Sequence, residues 1–239
     1  MGIPALYALT LGMVGHEGII SQVPINETSN HAGNAIYAIL AGVLSIWTAG
    51  DGLFWICAAM GVCGCIALLF VRKSDVNYER ARGLTDVDGN VKSEPVQFTE
   101  LAKDTRLIIL FISVALFHLG NAAMLPLLSQ KLSLRNQKEG IAFAAACIII
   151  AQVFMVISSA ACAFLIPKIG SKKVFVIGFS FIPIRGTMIV ILLKFLPNAY
   201  ALLATQILDG VAGGIFGVTA VIVAEDLTRS HLILLDFII

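Results

Sequence analysis

The sequence predicts an all-α fold, a polytopic bundle of transmembrane helices. Three observations carry that prediction. Of 239 residues, 58% are hydrophobic and only 13% charged, about half the charged share of an ordinary soluble domain. Mean hydropathy is +0.92. The apolar residues also gather into runs near the ~20 residues that a helix needs to cross a hydrocarbon core.

Taken in chain order, residues 3–14 form an apolar stub too short to span unless something precedes it. "GHEGIISQVPINETSN" (15–30) reads as a polar connection, and 32–49 as a short, rather polar span. "TAGDG" (48–52) reads as a tight turn before a clear span at 53–71. Residues 72–104 are the long hydrophilic stretch; charge, Gly and Pro mark them as a linker between two membrane halves. Further spans follow at 107–128, 141–166, 174–193 and 199–224, joined by the short connections 129–140, 167–173 and 194–198. The expectation is six full spans plus a partial one at the start. By domain, residues 1–71 close one helix half, 72–105 link, 106–229 open the other half, and 230–239 are an atypical tail.

Loop charge sets orientation in the bilayer. With the long linker in the cytosol, eleven basic residues fall on that side. Lys131, Arg135, Lys138 and Lys194 fall on the other. The "NET" sequon at Asn26 then faces the cytosol and is read as chance. The apolar N-terminus has no basic leader region or small-residue cleavage site, so it is not read as a signal peptide.

Several functions are disfavoured. No basic tract carries interleaved aromatics, so nucleic acid is not an expected partner. The five cysteines all lie in apolar runs, and "CGC" at 63–65 reads as helix packing, not as a metal site. No nucleotide-binding loop, zinc-protease, nucleophile-elbow or dinucleotide motif occurs. The chain is therefore not read as an enzyme, and no cofactor is expected. Its partners are the lipid bilayer and a small-molecule or ion substrate, moved at the expense of a gradient. Oligomeric state is left open.

A polar side chain inside a span is costly, about 2.5–3.5 kcal/mol for a central Asp or Arg, so such residues mark candidate sites. Arg185 lies eleven residues past 174, and Asp209 ten past 199 on the following, antiparallel run. At about 1.5 Å per residue both come near the midplane, and they are expected to face each other or share a cavity. His118, with Asn121 one turn further on, and Gln152 sit at similar depth in their own runs. The expectation is one polar level fed by four helices. Its alternatives are a substrate or proton pathway and a structural ion pair. Pairing with arginine favours the ionised carboxylate, so Asp209 cannot be ion-pair partner and proton carrier in a single state. Gly210, Gly213, Gly214 and Gly217 form two interleaved G-x-x-x-G patterns. These leave one helix face bare for close approach of another helix.

"AFLIPKIGSKKVFVIG" (163–178) resembles the degenerate second copy of the cytosolic loop motif of the major facilitator superfamily, G-x-x-x-D-R-x-G-R-R. Lys168, Gly170 and Lys172 fit; Ala163, Pro167 and Ser171 depart, so the acidic latch is missing. "NETSNHAGN" (26–34), "FHLGNAAMLPLLSQKL" (117–132), "PIRG" (183–186) and "QILDGVAGGIFGV" (206–218) look like a bacterial-type subgroup of that superfamily, with Ile25 where a basic residue is expected. The resemblance implies twelve helices in two halves, of which this chain would cover roughly helices four to ten. It implies alternating access around a midplane site, with Glu225 and Asp226 at the cytosolic end of the last helix. A non-transporting receptor or assembly subunit, or an inactive transporter remnant, is the alternative kept beside it.

Overall fold

The computed structural model of the chain describes residues 2–48, 52–82, 84, 103–133, 137–196 and 198–236. Its helices are α1 (Gly2–Thr48), α2 (Gly52–Leu69), α3 (Tyr78–Ala81), α4 (Thr105–Ala122), α5 (Met124–Ser133), α6 (Gln137–Ile169), α7 (Ser171–Phe195), α8 (Ala199–Ala204) and α9 (Gln206–Asp236). The fold class is therefore all-helical, as expected. Among the described residues, four stretches are long and apolar enough to cross a membrane: Thr105–Lys131, Phe143–Ile169, Ser171–Phe195 and Ala199–Thr228. The apolar part of α2, Phe54–Leu69, is shorter. The turn expected at 48–52 and most of the linker beyond Arg82 fall largely outside the described residues.

One expectation needs correction. Residues 16–30, read as a polar connection, are helical and continuous with 32–48 in α1. The break lies at Gly15, whose φ of 70° and ψ of −179° are open to glycine and strained for other residues. The polar side chains that made 16–30 look like a loop are satisfied along the helix. Gln22 Nε2 donates to Asn26 Oδ1 at 2.9 Å, Thr28 Oγ1 to the Pro24 carbonyl at 2.7 Å, and Ser29 Oγ to the Ile25 carbonyl at 2.9 Å. Hydroxyls that bond back four residues can sit inside a helix without exposing an unmet donor.

The chain divides into two compact units, Met1–Ile19 with Ile36–Pro95, and Ile20–Ala35 with Val96–Ile239. In the first, the start of the linker folds against the first turns of α1. The Asn77 amide donates to the Gly12 carbonyl at 3.0 Å, and a Cβ at Gly12 would come within 2.9 Å of both Ala81 Cβ and the Asn77 carbonyl. Asn77 also caps α3, its Oδ1 accepting from Glu79 N and Arg80 N at 3.0 Å each. Tyr37 and Cys57 approach at 2.9 Å.

In the second unit α9 is the central helix: half of its apolar window is buried, against 6% for the Thr105–Lys131 span. Glycines bring its neighbours close. A Cβ at Gly210 would lie 2.5 Å from the Ala151 carbonyl of α6, one at Gly214 2.6 Å from the Met155 carbonyl, and one at Gly213 2.5 Å from Met155 Cε. On α7, Gly178 makes room for Ile215. Phe117 of α4 stacks on Phe216 of α9 at 3.6 Å and 9°. Ile182 and Ala212 complete that core, and Leu128, Phe143, Cys147, Ile189 and Leu202 form a second. The connection between α6 and α7 is shorter than read from sequence. Helix runs to Ile169 and resumes at Ser171, with Gly170 alone between them at φ 87°.

Candidate functional site

Arg185 is fully buried inside α7. Its Nη1 donates to Asp209 Oδ1 at 2.7 Å and to Asn121 Oδ1 at 2.6 Å; its Nη2 donates to Gln206 Oε1 at 2.9 Å. Two elements supply these partners: α4 gives Asn121, and the first turn of α9 gives Gln206 and Asp209. Asp209 is only 6% exposed. Two things stabilise a carboxylate there. One is the guanidinium. The other is the break at Thr205, which ends α8 and starts α9 anew, so Asp209 sits in a helix first turn where the backbone dipole favours negative charge. Thr205, also buried, donates its hydroxyl to the Leu202 carbonyl at 2.6 Å and accepts from Gln206 Nε2 at 3.4 Å. Only Arg185 Nε is buried without a partner among the described residues of this cluster.

A second polar cluster lies in the same unit. His31 of α1, 9% exposed, sets Nδ1 3.0 Å from Gln152 Oε1 of α6. Its Nε2 points toward Glu27 Oε2 at 3.7 Å and has no hydrogen-bond partner. Glu27 sits over Gly217 of α9, where a Cβ would come within 3.2 Å of Oε2. Two turns along α6, Ser159 Oγ meets Thr28 Oγ1 at 3.0 Å.

The expectation of one polar level fed by four helices is thus divided. Asn121, Arg185 and Asp209 come together, with Gln206 added. Gln152 joins His31 instead. His118 is exposed, with its ring edge-on to Phe117 at 5.7 Å and to Phe216 at 5.8 Å. Glu27 was missed because it lay in the segment read as a connection (15–30), and His31 because it fell between that segment and the span read at 32–49. At the other end of the unit, Lys172 with Arg106, Ser171 and Asp226 lines a cleft of about 550 Å³, and Ser171 Oγ donates to Asp226 Oδ2 at 3.1 Å. Lys168 and Gly170 stand exposed beside it.

The family model for the Major Facilitator Superfamily matches residues 1–233. Two curated proteins of Mycobacterium tuberculosis, from strains CDC 1551 and H37Rv, are 37% identical to the chain over 226 residues; each is described as an uncharacterized MFS-type transporter. The match covers 95% of this chain and 53% of each relative, so the chain spans about half the length of the curated relatives it matches. No solved structure matches.

Proposed function

The chain belongs to the major facilitator superfamily, and from that premise we propose that it serves secondary active transport of a small solute by alternating access around the Arg185 cluster. It is an integral, multi-pass membrane protein, as its apolar helices and its relatives agree. The observation that carries the proposal is the burial of Arg185 with Asp209, Asn121 and Gln206 inside apolar helices. Ionisable groups at membrane depth are rare and mostly serve a pathway or a partner. A transporter of this kind holds its solute between helices near the midplane and exposes it to each side in turn.

In this reading Arg185 and Asp209 supply fixed charges of opposite sign, and Asn121 and Gln206 supply neutral hydrogen-bond partners. A solute with a polar or charged group would exchange with one of them as the helices rearrange. Gln152 and His118 belong to the proposed route as flanking polar groups. Gly210, Gly213, Gly214 and Gly217 give α9 the low-relief face along which such rearrangement can proceed. Lys168, Gly170 and Lys172 form the turn assigned to the cytosolic face.

The test is flux of a panel of small solutes in cells or proteoliposomes carrying the protein, its Arg185→Gln and Asp209→Asn forms, and the double variant. The reading expects flux to fall at least tenfold in each single variant while the protein remains folded. Full flux in folded variants would make the pair a structural device only.

A further inference from the structure

The cleft beside Lys172 has a charged rim and an apolar wall. Three charges at the ends of apolar spans set the rim. Arg106 lies one residue inside Thr105–Lys131, Lys172 one inside Ser171–Phe195, and Asp226 two from the end of Ala199–Thr228. Spans that begin and end at this level put the rim at the edge of the hydrocarbon core. From there the α4 wall runs inward through Ile109 to Ser113, seven residues and about 10 Å from Arg106. Helix α7 adds Phe175 and Val176. Ser113 Oγ donates to the Ile109 carbonyl at 2.8 Å, so it presents no unmet donor to the wall. Phe175 packs on Phe216 of α9 with ring centroids 5.3 Å apart, and Phe216 stacks on Phe117, one turn beyond Ser113. That aromatic contact ties the three helices together at the inner end of the cleft.

At the rim two basic side chains stand against one carboxylate, and Ser171 Oγ already donates to that carboxylate at 3.1 Å. The cleft therefore joins a net positive charge at the membrane edge to an apolar wall inside the membrane. We propose that it binds one anionic phospholipid, with the phosphate between Arg106 and Lys172 and the start of an acyl chain along Ile109, Phe175 and Val176. Basic pockets between transmembrane helices suit anionic headgroups, and a guanidinium matches phosphate with two parallel donors.

The volume, about 550 Å³, lies within the ~300–1,000 Å³ of small-ligand sites. It takes a headgroup and the top of a chain, and the rest of the lipid stays in the bilayer. Ile109 and Val176 are 59% and 58% exposed, so a lipid reaches the wall from the membrane. A free anion would use the rim and leave this wall uncovered. A zwitterionic lipid would bring a further cation to a rim that already has two. The inference needs the chain to sit in a membrane; it does not need solute transport.

The test is native mass spectrometry of the full chain in mild detergent, titrated with phosphatidylglycerol, phosphatidylcholine or glycerol phosphate. The expected result is one phosphatidylglycerol per chain, held at least about fivefold more tightly than phosphatidylcholine, the effect of one basic group on an anionic lipid. Arg106→Gln and Lys172→Gln should each weaken it by at least about fivefold. Asp226→Asn removes the opposing charge and should tighten it, so a gain remains to be read even where a loss variant does not fold. Equal binding of the two lipids, or no retained lipid, overturns the proposal. So does phosphatidylglycerol binding that none of the three variants changes. Glycerol phosphate bound as tightly as phosphatidylglycerol also overturns it, because the rim would then be an anion site without use of the apolar wall.

Discussion

The Arg185 and His31 clusters both lean on α9, yet their hydrogen bonding differs in kind. Around Arg185, donors meet acceptors: two nitrogens of the guanidinium reach Asp209, Asn121 and Gln206 within 3 Å, and the two charges cancel. Around His31 the contacts are looser: Gln152 Oε1 lies 3.0 Å from Nδ1, and Glu27 Oε2 lies 3.7 Å from Nε2. The first arrangement is a closed ion pair, and removing either partner would leave a buried charge alone.

The largest expected effect breaks this comparison from the Arg185 side. Arg185→Gln or Asp209→Asn leaves an unpartnered charge in a buried site. Each should lower stability in detergent unfolding by about 3–5 kcal/mol. The double variant should lose clearly less than the sum, because it removes both charges together. Glu27→Gln, at a carboxylate 3.7 Å from its histidine, should cost less than Asp209→Asn, at one 2.7 Å from its arginine. Equal losses at the two carboxylates would end the distinction between the clusters.

A smaller effect sharpens the role of α9 as the shared wall. Gly214→Ala drives a methyl to 2.6 Å from the Met155 carbonyl, a backbone atom that cannot step aside. A loss of about 1–3 kcal/mol is expected, the usual cost of overpacking. Gly33→Ala, on α1 in the His31 unit, meets nothing within 4 Å. It should instead gain up to about 1 kcal/mol from helix propensity. Thermal unfolding of the two variants reads the difference in sign.

Why one cluster was legible in the sequence and the other was not follows from the same contrast. Arg185 and Asp209 interrupt strongly apolar runs, so each stands out, and depth counting along two consecutive antiparallel helices puts them together. Gln206 stood in the same run and was passed over as a hydrogen-bond partner. Glu27 and His31 lie among Gln22, Asn26, Thr28, Ser29 and Asn30, where hydropathy falls and loop and polar helix look alike. The signal that finds them is spacing. Ile19, Val23, Glu27, His31 and Ala35 recur every four residues, and all but the partly buried Glu27 are buried. That is one face of a helix. Depth counting gives the level of His118 along its helix but not its facing, and it lies exposed, apart from the Arg185 cluster. Gly15 was legible as a breaker, but a breaker does not say that helix resumes at once on its far side.

The smallest expected effect concerns the contact that borders the His31 cluster. Thr28 Oγ1 and Ser159 Oγ lie 3.0 Å apart across two helices. Each hydroxyl has one hydrogen. Thr28 directs its own to the Pro24 carbonyl at 2.7 Å, and Ser159 has the Met155 carbonyl at 2.7 Å. If both hydrogens stay on their own helices, no hydrogen remains for the bridge. Ser159 must choose between its back-bond and Thr28, and the two choices have similar worth. Ser159→Ala should therefore lose only about 0.5 kcal/mol, near the average for side-chain hydrogen bonds between membrane helices, and the His31 NMR signal should stay as it is. A larger loss, with a shifted His31 signal, would mean that this bridge sets the distance between α1 and α6, and with it the geometry in which His31 meets Gln152.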